Sequence, residues 1–271
     1  MSRYPHAVTI ACLVCIGGLA AGVSPALGAF PGQNGKIAFD SDRGAGEDID
    51  IWTMNPDGRS LVNLTANSEG FDGLATWRAD GRKIAFVSNR ATATNREGDN
   101  EIFVMNSNGS NQTQITFNAL DDEFPAWSPD GTRIVFARDF APIIGEFDED
   151  ILTMRADGTD EQNLTGTPVV NEFEPTWSPN GRSIAFVSDR GGDNEIYTMR
   201  PNGSSVRQLT VNTRNDEFPD WSPDGRLIAF EAGRVGFPDI FTMRADGSDE
   251  VNRTRNRAFD IAPDWQPLDD D

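Results

Sequence analysis

Histidine and cysteine are almost missing from this chain. Its 271 residues include one histidine, His6, and two cysteines, Cys12 and Cys15. All three lie at the N-terminal end, ahead of a long repeated region. Downstream of them there is neither a thiol nor an imidazole. That excludes disulfides, Ser-His-Asp and Cys-His triads, histidine bases and histidine metal sites from the bulk of the protein. Tyrosine and lysine are also scarce there, reduced to Tyr197, Lys36 and Lys83. Basic charge therefore falls to arginine, and it is outweighed. Lys and Arg total 23 against 43 Asp and Glu, a formal net charge of −20. So acidic a surface repels nucleic acid and anionic membranes. It suits solubility, cation binding or a basic partner.

What is present begins with a leader. Arg3 and His6 precede the apolar run AVTIACLVCIGGLAAGV, and SPALGA follows with small residues at Ala26, Gly28 and Ala29. A charged start, an apolar stretch and a small-residue cleavage site predict a secretory signal peptide over residues 1–29. An uncleaved membrane anchor is the alternative, since the run approaches spanning length. Removing the leader takes away Arg3 and no acidic residue. The rest has no segment apolar enough to insert in a membrane. It holds no cysteine, so packing must hold it together, and it is long enough for that.

The rest of the chain is one unit written five times. Trp77, Trp127, Trp177, Trp221 and Trp265 recur at spacings of 50, 50, 44 and 44 residues. A period of this size signals a repeat architecture. Each unit carries four short apolar segments separated by turn residues. The first ends at the tryptophan (LATW, FPAW, EPTW, FPDW, APDW). A turn such as SPDG follows, where Pro presets φ and Gly accepts positive φ. The second is IAF or IVF, a continuous apolar run that suits a strand covered on both faces. The third is DIWTM, EIFVM, DILTM, EIYTM or DIFTM, with a glycine four residues past each methionine, at Gly58, Gly109, Gly158, Gly203 and Gly247. Asp or Asn before each of these glycines reads as a hairpin. The fourth ends in NLT, QIT, NLT, QLT and NRT. No helix-length amphipathic stretch interrupts the pattern.

Four short antiparallel strands per unit predict an all-β fold, a β-propeller of five four-stranded blades. The phase of the repeat adds its closure. The region after the leader opens on a second segment, Ile37–Phe39, and ends on a first segment, Pro263–Trp265. Blade one therefore combines Ile37–Thr65 with Ile261–Trp265, so that the C-terminal strand joins the N-terminal blade and removes a free sheet edge. The other blades run near 71–116, 121–165, 171–210 and 215–254. The propeller spans 30–267, and the acidic end 268–271 is expected to be disordered.

The units WSPDGxxIAFxSxR, DIxxM, DG and LT resemble the propeller repeats of the TolB family, a WD-repeat-like group. The resemblance covers almost the whole region after the leader. TolB itself has an additional N-terminal domain and six blades. Here Ile37 follows almost directly on the leader and the repeat is five-fold, which departs from a Tol–Pal role. The resemblance implies an exported propeller that binds other macromolecules without doing chemistry.

A candidate site follows from the repeat. A carboxylate stands five residues before each tryptophan, at Asp72, Asp122, Glu172, Asp216 and Asp260. It enters the first, innermost strand, so five blades would set a ring of carboxylates at one mouth of the channel. Glu123 and Glu217 add to that ring, with Glu69, Asp121 and Glu174 in the same loops. Such a ring suits a basic side chain of a partner, or a hard cation such as calcium with several oxygen ligands. Equally, each carboxylate can serve its own loop by accepting backbone N–H bonds. No resident cofactor is implied beyond that open question of calcium. In a second constellation, Arg43, Arg90 and Arg190 follow the second strand and are expected to pair across the hairpin with Asp50, Glu101 and Glu195. Phe140, Ile143, Ile144 and Phe147 occur in one copy only and either pack on a neighbouring blade or meet a partner.

The leading functional expectation is an exported, periplasmic or secreted, monomeric scaffold that binds a protein or peptide and is no enzyme. The alternative is a propeller polysaccharide lyase or glycosidase using acids at the channel mouth, since carboxylates abound. No acid stands apart from the repeat with a Tyr, His or Lys beside it. A third possibility, a propeller that gates a prolyl peptidase, would need a separate partner chain, because no GxSxG elbow follows.

Overall fold

Ile84-Ala85-Phe86 alternates large, small and large side chains, and a strand sends alternate residues to opposite faces. That alternation builds the molecule. The computed structural model describes residues 35–43, 48–66, 68–96, 98–141, 147–233, 237–255 and 258–265. The expected leader, Ile143, Ile144 and the acidic end lie outside them.

The described residues are all β, arranged as a five-bladed propeller. Blade one holds β1 (Ile37–Ser41), β2 (Asp50–Met54) and β3 (Val62–Asn63). Blade two holds β4 (Asp72–Trp77), β5 (Lys83–Ser88), β6 (Glu101–Asn106) and β7 (Thr113–Gln114). Blade three holds β8 (Asp122–Trp127), β9 (Arg133–Asp139), β10 (Glu149–Arg155) and β11 (Gln162–Asn163). Blade four holds β12 (Glu172–Trp177), β13 (Ile184–Ser188), β14 (Glu195–Met199) and β15 (Arg207–Gln208). Blade five holds β16 (Asn215–Trp221), β17 (Leu227–Gly233), β18 (Asp239–Arg244) and β19 (Val251–Asn252). Each sheet is an antiparallel meander in chain order. The first strands β4, β8, β12 and β16 pack on one another and are innermost. The fourth strands are only two residues long, which blunts the outer edges.

The core lies between blades. Ile84 and Phe86 pack with Ala38 and Ile51 of blade one, whereas Ala85 turns to Trp127, Ile134 and Phe136 of blade three. Val135 and Ala137 then meet Trp177, Ile184 and Phe186 of blade four, and Ala185 and Val187 meet Trp221, Ile228 and Phe230 of blade five. Each sheet sets a bulky face against the small face of the preceding sheet. Burying one Phe or Ile in this way is worth roughly 1.5–3 kcal/mol. Trp77, Trp127, Trp177 and Trp221 face the preceding blade. Their indole nitrogens are buried without an acceptor, so their contribution is apolar area.

Local chemistry fixes the turns. Gly247 has φ +81°, and a Cβ there would stand 2.7 Å from the Leu209 carbonyl of the preceding blade. Backbone conformation and close approach both require glycine. The threonine of every LT, IT or RT motif accepts the N–H of the third-strand isoleucine, at 2.8–3.1 Å in all five blades. The residue before that motif depends on the third strand's first acid. Where the acid is Asp50, Asp150 or Asp239, an asparagine reaches it: Asn63, Asn163 and Asn252 donate at 2.7, 2.7 and 2.8 Å. Where the acid is Glu101 or Glu195, one methylene longer, the strand carries Gln114 or Gln208.

Each innermost strand contains a β-bulge. Leu74, Phe124, Glu174 and Phe218 hold φ of 52–53°, and the ladder shifts register there. A left-handed non-glycine residue costs on the order of 1–2 kcal/mol, and the bulge repays part of it across the blade junction. Leu74 N donates to Asp40 of blade one at 2.9 Å, and Phe218 N donates to Glu174 of blade four at 2.7 Å.

The C-terminal segment follows the same rule. Ala262 has φ 50°, as at the four bulges, and its N–H donates to Glu231 of blade five at 3.2 Å. Trp265 N donates to Asp220 at 3.0 Å. Residues 260–265 thus sit against blade five as an innermost strand of the next blade would. The next place in the ring is the one beside β1; among the described residues β1, β2 and β3 are the strands that pair in the first blade, and residues 260–265 form no ladder with β1. A chain ending at Ala258 would lose about 2–4 kcal/mol, lowering Tm by roughly 5–10 °C, and would take away the backbone donors that Glu231 and Asp220 of blade five accept. Calorimetry with light scattering checks this; an unchanged Tm in a monomer contradicts it.

Candidate functional site at the channel mouth

The loops from second to third strand and from fourth strand to the next first strand share one end of the propeller. Backbone bonds join them: Asp122 N donates to Asn100 O at 2.8 Å and Asp216 N to Asn194 O at 2.8 Å. We term this end the loop face and the opposite end, with the SPDG and DG turns, the turn face. On the turn face charge is balanced locally. Arg78 meets Asp80 at 2.6 Å, Arg133 meets Asp160 at 2.8 Å and Arg244 meets Asp249 at 2.8 Å. The loop face is acidic.

The carboxylates expected there divide into two groups. Asp72, Asp122, Glu172 and Asp216 open the innermost strands, and their side chains are wholly enclosed. Each faces an arginine: Arg90–Asp72 at 2.6 Å, Arg138–Asp122 at 2.6 Å, Arg190–Glu172 at 2.7 Å and Arg214–Asp216 at 4.0 Å. The guanidinium groups also lie over aromatic rings of the same blade, Arg90 on Phe103 at 5.0 Å and Arg190 on Tyr197 at 4.8 Å. Arg138 is forked, bidentate to both Asp122 and Glu161. The two carboxylates hold its guanidinium protonated more firmly than usual. In blade five the arginine at the equivalent sequence position, Arg234, lies outside the described residues; among the described residues Arg214 faces Asp216 from two residues before it, lying over Phe241 at 4.6 Å. Asp260 is half-buried, its N–H donating to Pro238 O at 3.1 Å.

The arginine pairing corrects one expectation. Arg90 and Arg190 were assigned from sequence to Glu101 and Glu195, yet they turn back to Asp72 and Glu172. The reason is that the later acids are occupied. Glu101 accepts Asn118 N at 2.9 Å and Glu195 accepts Asn212 N at 2.6 Å, both from the loop entering the next blade. Arg43 lies over Phe39 at 4.6 Å and bonds Ser41 at 2.8 Å. Phe140 packs against the core between blades two and three, the intramolecular of its two expected roles.

The second group is Glu123 and Glu217, one residue further along. They join Glu149, Glu174 and Glu231 in a continuous electrostatic set drawn from blades three, four and five. Sequence spacing pointed to Glu123 and Glu217, and noted Glu174 only as a neighbour. Glu149 and Glu231 were missed, because they lie on β10 and β17 and come near only through the ring. Burial pushes Glu123 up to about 8, opposed by the Asn100 amide at 2.6 Å and reinforced by Asp121 and Asp139. Glu149 is raised well above the usual range by burial and by Glu123 and Asp139. Glu174 is raised by burial and by Glu217, against the bond from Phe218 N. Glu231 is pushed up to about 7 by burial and Glu217. Among the described residues no arginine or lysine forms an ion pair with any of these five. Near the C-terminal segment, burial raises Asp264 to about 7, and it shares a hydrogen bond with Asp220. Among the described residues no three carboxylates converge in a way that could hold a metal ion.

Residues 159–271, covering blades four and five and the C-terminal segment, match the family model of the TolB beta propeller domain. The chain is a TolB-like β-propeller. A search of curated proteins returns no match. Among solved structures it is similar to a protein assigned as TolB from Agrobacterium tumefaciens, with TM-score 0.66 and 22% identity over 85% of this chain and 79% of that one. TolB from Acinetobacter baumannii gives TM-score 0.66 and 21% identity over 82% of this chain, which spans 53% of that protein. An oligogalacturonate lyase from Vibrio parahaemolyticus gives TM-score 0.61 and 14% identity over 85% of this chain and 65% of that one. At these identities the likeness is one of fold.

Two outcomes follow from the geometry. Arg138→Ala leaves Asp122 enclosed without its cation and costs about 3–5 kcal/mol by denaturant unfolding, whereas Glu161→Gln costs under about 1 kcal/mol. The glutamates set a pH dependence. An acid whose folded pKa exceeds its unfolded value binds its proton more tightly when folded, so its support is full below the unfolded value and lost as pH rises through the folded one. Tm therefore falls between about pH 4.5 and 8, and Glu123→Gln makes the fall shallower and raises Tm at about pH 8. Equal slopes for the two proteins would contradict this.

Proposed function

We propose that this TolB-like propeller is an exported, non-catalytic scaffold that binds a basic segment of a protein partner at the mouth of its channel on the loop face. The observation that carries the proposal is the set Glu123, Glu149, Glu174, Glu217 and Glu231, clustered without a described basic counterion. Crowded carboxylates destabilise one another, and an incoming Lys or Arg removes that repulsion. The enclosed Asp72, Asp122, Glu172 and Asp216 support the mouth from behind, each already facing an arginine.

Export rests on the leader over residues 1–29 and on the TolB-like resemblance. The absence of imidazole and thiol after the leader supports a binding rather than a chemical role. The acidic balance argues against nucleic acid and against insertion in an anionic membrane. A polysaccharide lyase or glycosidase has only the fold likeness behind it, and a carboxylate-lined channel repels an anionic uronate chain.

The test is calorimetry with an oligolysine peptide at neutral pH. Binding is expected to weaken steeply with salt and to release protons, because a cation lowers the raised carboxyl pKa values. Glu123→Gln/Glu217→Gln should reduce affinity by about tenfold or more. Binding without proton release, or unaffected by that double substitution, would remove the channel mouth from consideration.

A further inference from the structure

Eight large hydrophobic side chains stand exposed among the described residues, and their distribution is uneven. Leu61, Val62 and Val206 lie at the outer strands. The other five, Phe117, Val169, Val211, Phe237 and Phe259, are all on the loop face, each between 59% and 87% exposed. Scattered exposed hydrophobics are ordinary on any protein. These are not scattered. Phe117 lies in the loop entering blade three, Val169 in the loop entering blade four and Val211 in the loop entering blade five. Phe259 lies in the loop entering the C-terminal segment. Phe237 stands in the last second-to-third-strand loop, its ring 5.8 Å from that of Phe259. Four consecutive junctions thus each present an apolar side chain at the same end of the molecule. The turn face, equally rich in loops, presents only Leu61 and Val206 among the described residues, less exposed at 47% and 42% and each next to a short outer strand.

The arc shares its blades with the glutamates. Blades three, four and five supply all five of the clustered carboxylates, and the apolar side chains rim the entrances to the same blades. Charge then selects the occupant. A second copy would set one acidic face against another, and an anionic bilayer would be repelled. A polypeptide that carries basic residues among aromatic or aliphatic ones matches both features, with apolar anchors at the core of the contact and charge steering its approach.

We infer that the loop face docks a basic, apolar-anchored polypeptide segment across the arc formed by Phe117, Val169, Val211 and the Phe237–Phe259 pair. This rests on the channel-mouth reading above and adds the apolar half of the recognition. The segment lays its hydrophobic side chains on the arc and extends its cationic residues toward Glu123 and Glu217.

The experiment is selection of random linear peptides on the full chain, followed by affinity measurement on variants. Enriched peptides are expected to combine Lys or Arg with aromatic or aliphatic residues. They should bind Phe117→Ser/Val169→Ser/Val211→Ser about tenfold or more weakly, and Phe237→Ser/Phe259→Ser likewise. Neither variant should lower Tm, since the side chains are exposed, and the outer-strand variant Val62→Ser/Val206→Ser should bind as the parent does. Oligolysine should bind the arc variants and the parent alike, which separates failure of this inference from failure of the channel-mouth reading. The inference is overturned if no peptide is enriched, if enriched peptides lack basic residues, or if they bind the arc variants unchanged. Sedimentation of the parent with phosphatidylcholine vesicles, abolished in the arc variants, would assign the arc to a lipid surface instead. Parent dimers that become monomers in the arc variants would assign it to a second copy.

Discussion

No blade of this protein can bury its own side chains. A sheet four strands wide, with outermost strands of two residues, has two faces and no third layer to cover either. Its core exists only when Ile84 and Phe86 meet one neighbour while Ala85 meets the other. Everything else follows from that need. The sheets must stand in a ring, the ring must close, and the innermost strands must crowd at the axis. The bulges at Leu74, Phe124, Glu174 and Phe218 belong to that crowding. They do not depend on proline, since Leu74 precedes Ala75 whereas the other three precede Pro125, Pro175 and Pro219.

Crowding at the axis also explains why acidity concentrates there. Any residue near the start of an innermost strand is brought close to its counterparts from other blades. Where an arginine of the same blade can reach inward, the carboxylate becomes a structural pair, as at Asp122 and Arg138. One residue further on, the side chain turns to the other face of the strand. Glu123 and Glu217 therefore meet other acids rather than arginines. The difference between a structural carboxylate and a candidate binding carboxylate is a single step along the strand.

That step was hard to read in the sequence. The period of the tryptophans, the IAF alternation and the glycines after each methionine carry the fold almost completely, because each reports a local rule repeated in every blade. The phase of Trp265 likewise indicates where residues 260–265 belong. The acidic ring was legible only in part. Spacing identifies Asp122 and Glu123 as neighbours but not which of the two an arginine will claim. Glu149 and Glu231 come from the second and third strands, and only the curvature of the ring brings them near Glu174. The pairing of Arg90 was misread for a related reason: the competitor for Glu101 is Asn118, from a loop with no fixed motif.

The two kinds of third-strand acid alternate along the chain: Asp50, Glu101, Asp150, Glu195, Asp239. The longer acids do more than complete their own blades. Glu101 holds Asn118, whose amide donates to Asp122 of blade three at 2.8 Å, and Glu195 holds Asn212, whose amide donates to Asp216 of blade five at 2.6 Å. Blades two and three are thereby tied as one couple, and blades four and five as another. An odd ring cannot alternate without a defect. Blades five and one are both of the short-acid kind, so like meets like at one junction alone. That junction is where the two ends of the chain come together, which gives a ring of near-identical parts an unambiguous first member.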